Sequence, residues 1–153
     1  MIQRIQTLFL LVAVVLISLI FFEKIASFIS QTGEIYYLYL GGLKTSPDGN
    51  IIYNTLPLLV LNIIMLALIF FSIFLYKRRI LQMRLVVYTM LLILGFIGVA
   101  IYYVLHLKNQ LLIESITFSY TAIFPIIAFI LLYLAFRGIR RDEILIRSID
   151  RIR

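Results

Sequence analysis

Four stretches of this chain, 5–22, 56–76, 85–107 and 116–136, contain no Lys, Arg, Asp or Glu. Each approaches the roughly 20 apolar residues with which an α-helix crosses the hydrocarbon core of a bilayer. A water-soluble domain of 153 residues with 63% hydrophobic and 14% charged side chains would expose far more apolar surface than water tolerates, since soluble domains average about half and a quarter. The runs therefore predict a helical membrane protein. Within hydrocarbon every backbone polar group must be satisfied inside the segment, which favours helices over any open sheet.

The charges lie between and beyond the runs. Phe74 to Leu85 carries Lys77, Arg78, Arg79 and Arg84, four cations in eight positions. Arg4 precedes the first run, and six arginines (137, 140, 141, 147, 151 and 153) follow the fourth, whereas the other loops hold only Lys24, Lys44 and Lys108. Eleven cations against three predict that both termini and the central turn face the cytoplasm. The net charge of +7 is then a topology signal at lipid headgroups, and no nucleic-acid partner is expected. Arg4 before an apolar run also raises a signal peptide, but Glu23-Lys24-Ile25 follows Phe22 without a small-x-small cleavage site, so the first run is read as retained.

The predicted fold is an all-α integral membrane protein. One domain, 1–153, forms a four-transmembrane-helix bundle, N-in and C-in, with an outward loop 23–55 and a cytoplasmic tail 137–153. Short connections make runs two, three and four antiparallel neighbours. Gly95, Gly98 and Ala100 offer a small-residue strip for close helix approach. Pro57 falls in a first turn, where proline is tolerated, and Pro125 falls inside the fourth run, where it should kink the helix.

In the outward loop Ile35 to Leu40 is aromatic and strand-prone, and Ser46-Pro47-Asp48-Gly49-Asn50 is a turn sequence followed by Ile51-Ile52-Tyr53. This pattern predicts a short outward β-hairpin, with Tyr36, Tyr37 and Tyr39 as outer contact residues. A loop lying flat at headgroup depth would bury the same tyrosines. The tail repeats Leu145, Ile146, Ile149 and Ile152 on one helical face, which predicts a cytoplasmic amphipathic helix. It could lie on anionic lipid, fold against the basic turn or bind another subunit. Charge complementarity favours docking Asp142, Glu143, Arg147 and Asp150 of the tail on Lys77, Arg78, Arg79 and Arg84.

Chemistry in a membrane interior needs ionisable groups, and the runs carry none. Asn62, Ser72, Thr89 and Ser119 are the polar residues expected to make helix–helix or same-helix hydrogen bonds. A single histidine, His106, and no cysteine leave no metal, haem or thiolate set, so no catalytic residue, metal or cofactor is expected. The expected role is a non-enzymatic accessory or scaffold subunit, in contact with the bilayer and with a membrane protein partner or a second copy. A small carrier or lipid-handling protein is the alternative, and a polar cavity reaching Asn62 and Pro125 would favour it.

Met1-Ile2-Gln3-Arg4-Ile5-Gln6-Thr7-Leu8, Tyr76 to Leu85, and Asp142-Glu143-x-Leu145-x-Arg147-Ser148-x-Asp150-Arg151-x-Arg153 together resemble the uncharacterised domain-of-unknown-function family 4293. That resemblance spans the chain and implies a small four-helix, multi-pass protein of the bacterial inner membrane, of the Bacteroidetes type, with no activity or site residue to carry over. A hairpin on the outer end of a four-helix bundle also looks like the claudin architecture, as a likeness of fold alone.

Overall fold

The computed structural model describes residues 2–31, 33–45, 49–111 and 113–150; the side chains of 2–4, 77 and 146–150 lie outside that description, and with them the expectations for Lys77, Arg147 and Asp150. Four helices, α1 (Ile2–Leu19), α2 (Leu56–Phe74), α3 (Arg79–Gln110) and α4 (Phe124–Asp150), stand side by side. Five strands gather at one end of them: β1 (Ala26–Ser30), β2 (Ile35–Tyr39), β3 (Gly42–Lys44) and β4 (Ile51–Asn54) from the first loop, and β5 (Ile113–Phe118) from the second.

The helices pack through one recurrent spacing. Inward positions are Gln6, Leu10, Ala13 and Ile17 on α1, with Ile20 just beyond its end, Leu58, Asn62, Met65, Ile69 and Ser72 on α2, and Gln82, Val86, Thr89, Ile93 and Phe96 on α3. On α4 they are Pro125, Ala128, Leu132, Ala135 and Ile139. Steps of three and four keep one seam facing inward, as in left-handed bundles. The helices form a ring in which α1 touches α2 and α4, and α3 touches α2 and α4. Outward positions such as Leu91, Leu94, Ile126 and Ile130 are exposed and apolar, the arrangement lipid requires rather than water.

The all-α, four-span expectation is overturned. A five-stranded antiparallel sheet of order β4-β3-β2-β1-β5 belongs to the fold. Among the described residues three helices, Leu56–Phe74, Arg79–Gln110 and Tyr120–Leu145, are long and apolar enough to cross a membrane, which marks the chain as a membrane protein. The apolar part of α1, Ile5–Leu19, is shorter, because the chain turns at Ile20 to Phe22, with Phe21 and Phe22 donating to the Ser18 and Leu19 carbonyls, and then feeds β1.

The single hairpin is also corrected. Ile35–Tyr39 does not pair with Ile51–Asn54, for β3 lies between them. A tight reversal at Leu40 and Gly41 turns β2 back into β3, and β3 pairs with β4; the expected turn at Ser46-Pro47-Asp48 lies outside the described residues. Alternation explains the face each strand buries. Ala26, Phe28, Tyr36, Leu38 and Leu43 turn inward and pack with Ile113 on Val104 and Leu107 of α3. At 1.5 Å per residue the 32 residues of α3 span about 48 Å, more than the roughly 30 Å hydrocarbon core. Its last turns, at Val104 and Leu107, serve as a post for the sheet.

Two further expectations change for the same reason. Because Ile113–Phe118 is a strand and Tyr120–Ile123 a 3-10 turn, α4 begins at Phe124. Pro125 thus occupies its first turn, where a missing N–H costs nothing, rather than its middle. Gly95 and Gly98 face outward with no atom within 4 Å of a Cβ placed on either. The small residues at the α1/α4 side of the core are Ala13, Ala128 and Ala135, all 0% exposed.

Candidate functional site

Polar groups concentrate at the two ends. At the basic end the start of α1, the turn before α3 and the last third of α4 meet. Gln6, Thr7, Tyr76, Arg79, Gln82 and Ile139 enclose a small polar pocket there. Gln6 Nε2 donates to Asp142 Oδ2 at 2.7 Å, so this carboxylate of the tail meets α1, 136 residues away. Glu143 lines a groove with Arg84 and Arg140, and Arg78 and Arg84 are exposed while Arg79 is half-buried.

Gly138 makes the Gln6 contact possible, because a Cβ there would lie 2.9 Å from Gln6 Cγ and 3.0 Å from its Nε2. Gly138→Ala is expected to displace Gln6 and destabilise this end by about 1–3 kcal/mol. In a Gln6→Ala background the same substitution should cost close to nothing, a coupling that a double-mutant cycle on thermal unfolding in detergent will read.

At the opposite end hydrogen bonds tie the two outer loops into one unit. Thr121 Oγ1 donates to the Lys24 carbonyl, Ser119 N to the Ile25 carbonyl at 3.0 Å, and Ser30 Oγ to the Leu111 carbonyl at 3.1 Å. The buried Thr55 hydroxyl bridges the Tyr39 and Leu40 carbonyls at 3.1 and 3.0 Å, which anchors the end of β2 to the start of α2. His106 stacks on Tyr102 with rings 12° apart and lies 6.0 Å from the Tyr53 ring.

The structure divides the three tyrosines named as outer contacts. Tyr36 turns inward, and its hydroxyl donates to a Glu34 carboxylate oxygen. Tyr37 and Tyr39 turn outward, with Lys24 Nζ 4.6 Å from the Tyr37 ring centre and Lys44 Nζ 5.5 Å from that of Tyr39. Ile29 and Ile35, partners in the β1–β2 register, are exposed on the same face.

The hydrogen bond to Glu34, then burial and the carboxylate's charge, raise the Tyr36 phenol above its ordinary 10.0. The native sheet thus holds this proton more tightly than the unfolded chain does. Its contribution to stability is complete below pH 10 and is lost as pH rises through the raised native value. Tyr36→Phe should flatten the alkaline limb of sheet stability above pH 10, measured by protease protection of the loop.

The bundle interior is closely packed around its polar residues. Asn62, 0% exposed, donates from Nδ2 to the Ile17 carbonyl of α1 at 3.3 Å, and Thr89 Oγ1 bonds back to the Leu85 carbonyl at 2.8 Å. Among the described residues the buried Asn62 Oδ1 and Ser72 Oγ have no hydrogen-bond partner. Ser119 stands outside any α-helix, ahead of the 3-10 turn. A cavity of about 100 Å³ touches Pro125, but its walls, among them Ile20, Phe96 and Val104, are apolar apart from Thr121, and Asn62 is not one of them.

The family model described as "Domain of unknown function (DUF4293)" matches residues 2–152. No curated protein matches the chain.

Proposed function

This chain belongs to the DUF4293 family, and we propose that it is a non-enzymatic accessory or scaffold subunit of a membrane protein complex, multi-pass in the bacterial inner membrane, whose outer sheet contacts its partner. The observation that carries this reading is the outer face of the sheet. Ile29, Ile35 and Ile51 are 39%, 44% and 55% exposed beside Tyr37 and Tyr39, on a surface carried beyond the helices by α3. Exposed aliphatic and aromatic side chains gathered on one face match the composition of protein contact surfaces.

The orientation proposed is sheet outward, with the 75–78 turn and the last third of α4 at the cytoplasmic face. Among the described residues it rests on Arg78, Arg79, Arg84, Arg137, Arg140 and Arg141 lying at the opposite end of the helices from the sheet. A photo-reactive residue replacing Ile35 in intact cells should capture another membrane protein. Captured material that consists of this 17.8 kDa chain alone or of its own multiples would contradict the reading. A lipid-handling role is the second reading, favoured by the groove between α3 and α4.

A further inference from the structure

We propose that the outward groove between α3 and α4 at the basic end binds one phospholipid with an amine headgroup, its phosphate held by Arg84 and Arg140 and one acyl chain lying along the groove towards the bilayer centre. The upper part of the groove has a volume of about 450 Å³ and is walled by Ile80, Met83, Arg84 and Tyr88 of α3 and by Arg140 and Glu143 of α4, among others. It shares Val87 and Phe136 with a second, apolar stretch of about 240 Å³ that continues past Leu91 and Leu94 and past Phe129 and Tyr133. The two stretches form one trough, charged at one end and apolar along the rest.

Its dimensions fit one leaflet. Arg84 to Leu94 is ten residues of helix, about 15 Å at 1.5 Å per residue, or half of a roughly 30 Å hydrocarbon core. Arg84 stands immediately before the charge-free run of α3, and Arg140 stands four residues beyond that of α4. Both guanidiniums consequently sit at headgroup depth when the apolar runs lie in hydrocarbon, and both are exposed.

Charge selects the occupant. Two guanidiniums at the end of an apolar trough complement a phosphate, which they can hold through paired N–H donors. A second copy of this chain laid along the same trough would bring the apolar outer faces of its helices against them. Glu143 on the same wall disfavours a headgroup with a further negative charge and favours a terminal ammonium, the charge order of phosphoethanolamine. Val87, Tyr88 and Leu91, outward and exposed, then contact a held acyl chain rather than exchanging bulk lipid.

The test is native mass spectrometry of the purified full-length protein released from vesicles of equimolar phosphatidylethanolamine, phosphatidylglycerol and phosphatidylcholine. One phosphatidylethanolamine per chain should be retained in preference to the other two. Arg84→Ala with Arg140→Ala should lower that retention by at least about ten-fold, while Arg141→Ala, an exposed arginine that does not line the groove, should leave it unchanged. Glycerophosphoethanolamine, the headgroup without chains, should fail to displace the lipid at equal concentration, which separates a lipid site from a site for free phosphate esters. A second variant, Leu91→Trp, blocks the apolar stretch without touching the arginines and should also abolish retention. The proposal is overturned by equal retention of all three lipids, by equal loss in Arg141→Ala, by displacement with the free headgroup, or by a lipid-free dimer.

Discussion

Phe28→Ala is expected to remove the sheet while leaving the helices in the membrane. Phe28 is 0% exposed and is among the largest fully buried side chains. It pairs with Tyr36 on one side and Ile116 on the other, in the cluster that joins the sheet to Val104 and Leu107 of α3. Truncation of such a phenylalanine costs about 3–5 kcal/mol in transfer energy and residual cavity, against a total stability of only about 5–15 kcal/mol for a typical domain. The loss falls on the element with the least else to hold it, since the helices are retained by lipid. Limited proteolysis of vesicle-embedded protein should show loop 23–55 becoming accessible while the helical fragments stay protected. Phe22→Ala, at a site 79% exposed, should behave as wild type.

Gly42→Val is expected to detach β4 and to spare the rest of the sheet. A Cβ on Gly42 would meet Ile51 Cγ2 at 2.5 Å and the backbone oxygen of Tyr53 at 2.8 Å. The side chain could rotate away, but the carbonyl belongs to the paired strand itself, opposite Leu43 in the register. Overpacking of this kind costs about 1–3 kcal/mol, enough to open an edge strand held on one side only. Ile51→Ala should rescue it only in part, because it relieves the contact with Cγ2 and not the one with the carbonyl. Hydrogen exchange should report loss of protection in Ile51–Asn54 with protection retained in Ala26–Ser30 and Ile35–Tyr39.

The helices were legible in the sequence because lipid imposes a coarse signal, a long run without charge, which needs no knowledge of what packs against what. Leu56 and Pro57 open α2 as the apolar run and proline position indicate. The tail continues as one helix with α4, as its periodicity indicates. The sheet was legible only where its partners are near in sequence. The turn chemistry at Asp48-Gly49 pointed to an antiparallel pair around it, and β3 and β4 are such a pair, but the three-residue strand Gly42–Lys44 is too short to announce itself.

β1 and β5 were hidden for a different reason. Ile25 to Ser30 follows an apolar run and was masked by it, and Ile116 to Ser119 is apolar enough to be absorbed into the fourth run, which also misplaced Pro125. Their pairing, such as Ser27 with Thr117, joins residues 90 apart, and no local pattern encodes a contact of that range. The bonding of Asp142 to Gln6 is similar. Charge complementarity pointed its carboxylate at the basic turn, whereas the ring order of the helices places α1 beside α4. The nearness of the tail to α3 is seen at Glu143, which shares a groove with Arg84, whereas the Asp142 bond to α1 was not legible.

Both outer loops build one sheet at one end of the helices. The chain has no cysteine, so Ser27→Cys with Thr117→Cys introduces a single possible disulfide at a registered β1–β5 pair. Facing residues of an antiparallel pair lie about 4.5–5.5 Å apart between Cα atoms, inside the range a disulfide spans. Mild oxidation of vesicles should close this bond within one chain nearly completely, seen as a reduction-sensitive shift in gel mobility. Ser27→Cys with Glu114→Cys, out of register, should close it poorly. Equal cross-linking of the two pairs, or none in either, would show that the second loop does not join the first in a sheet and would contradict the fold described here.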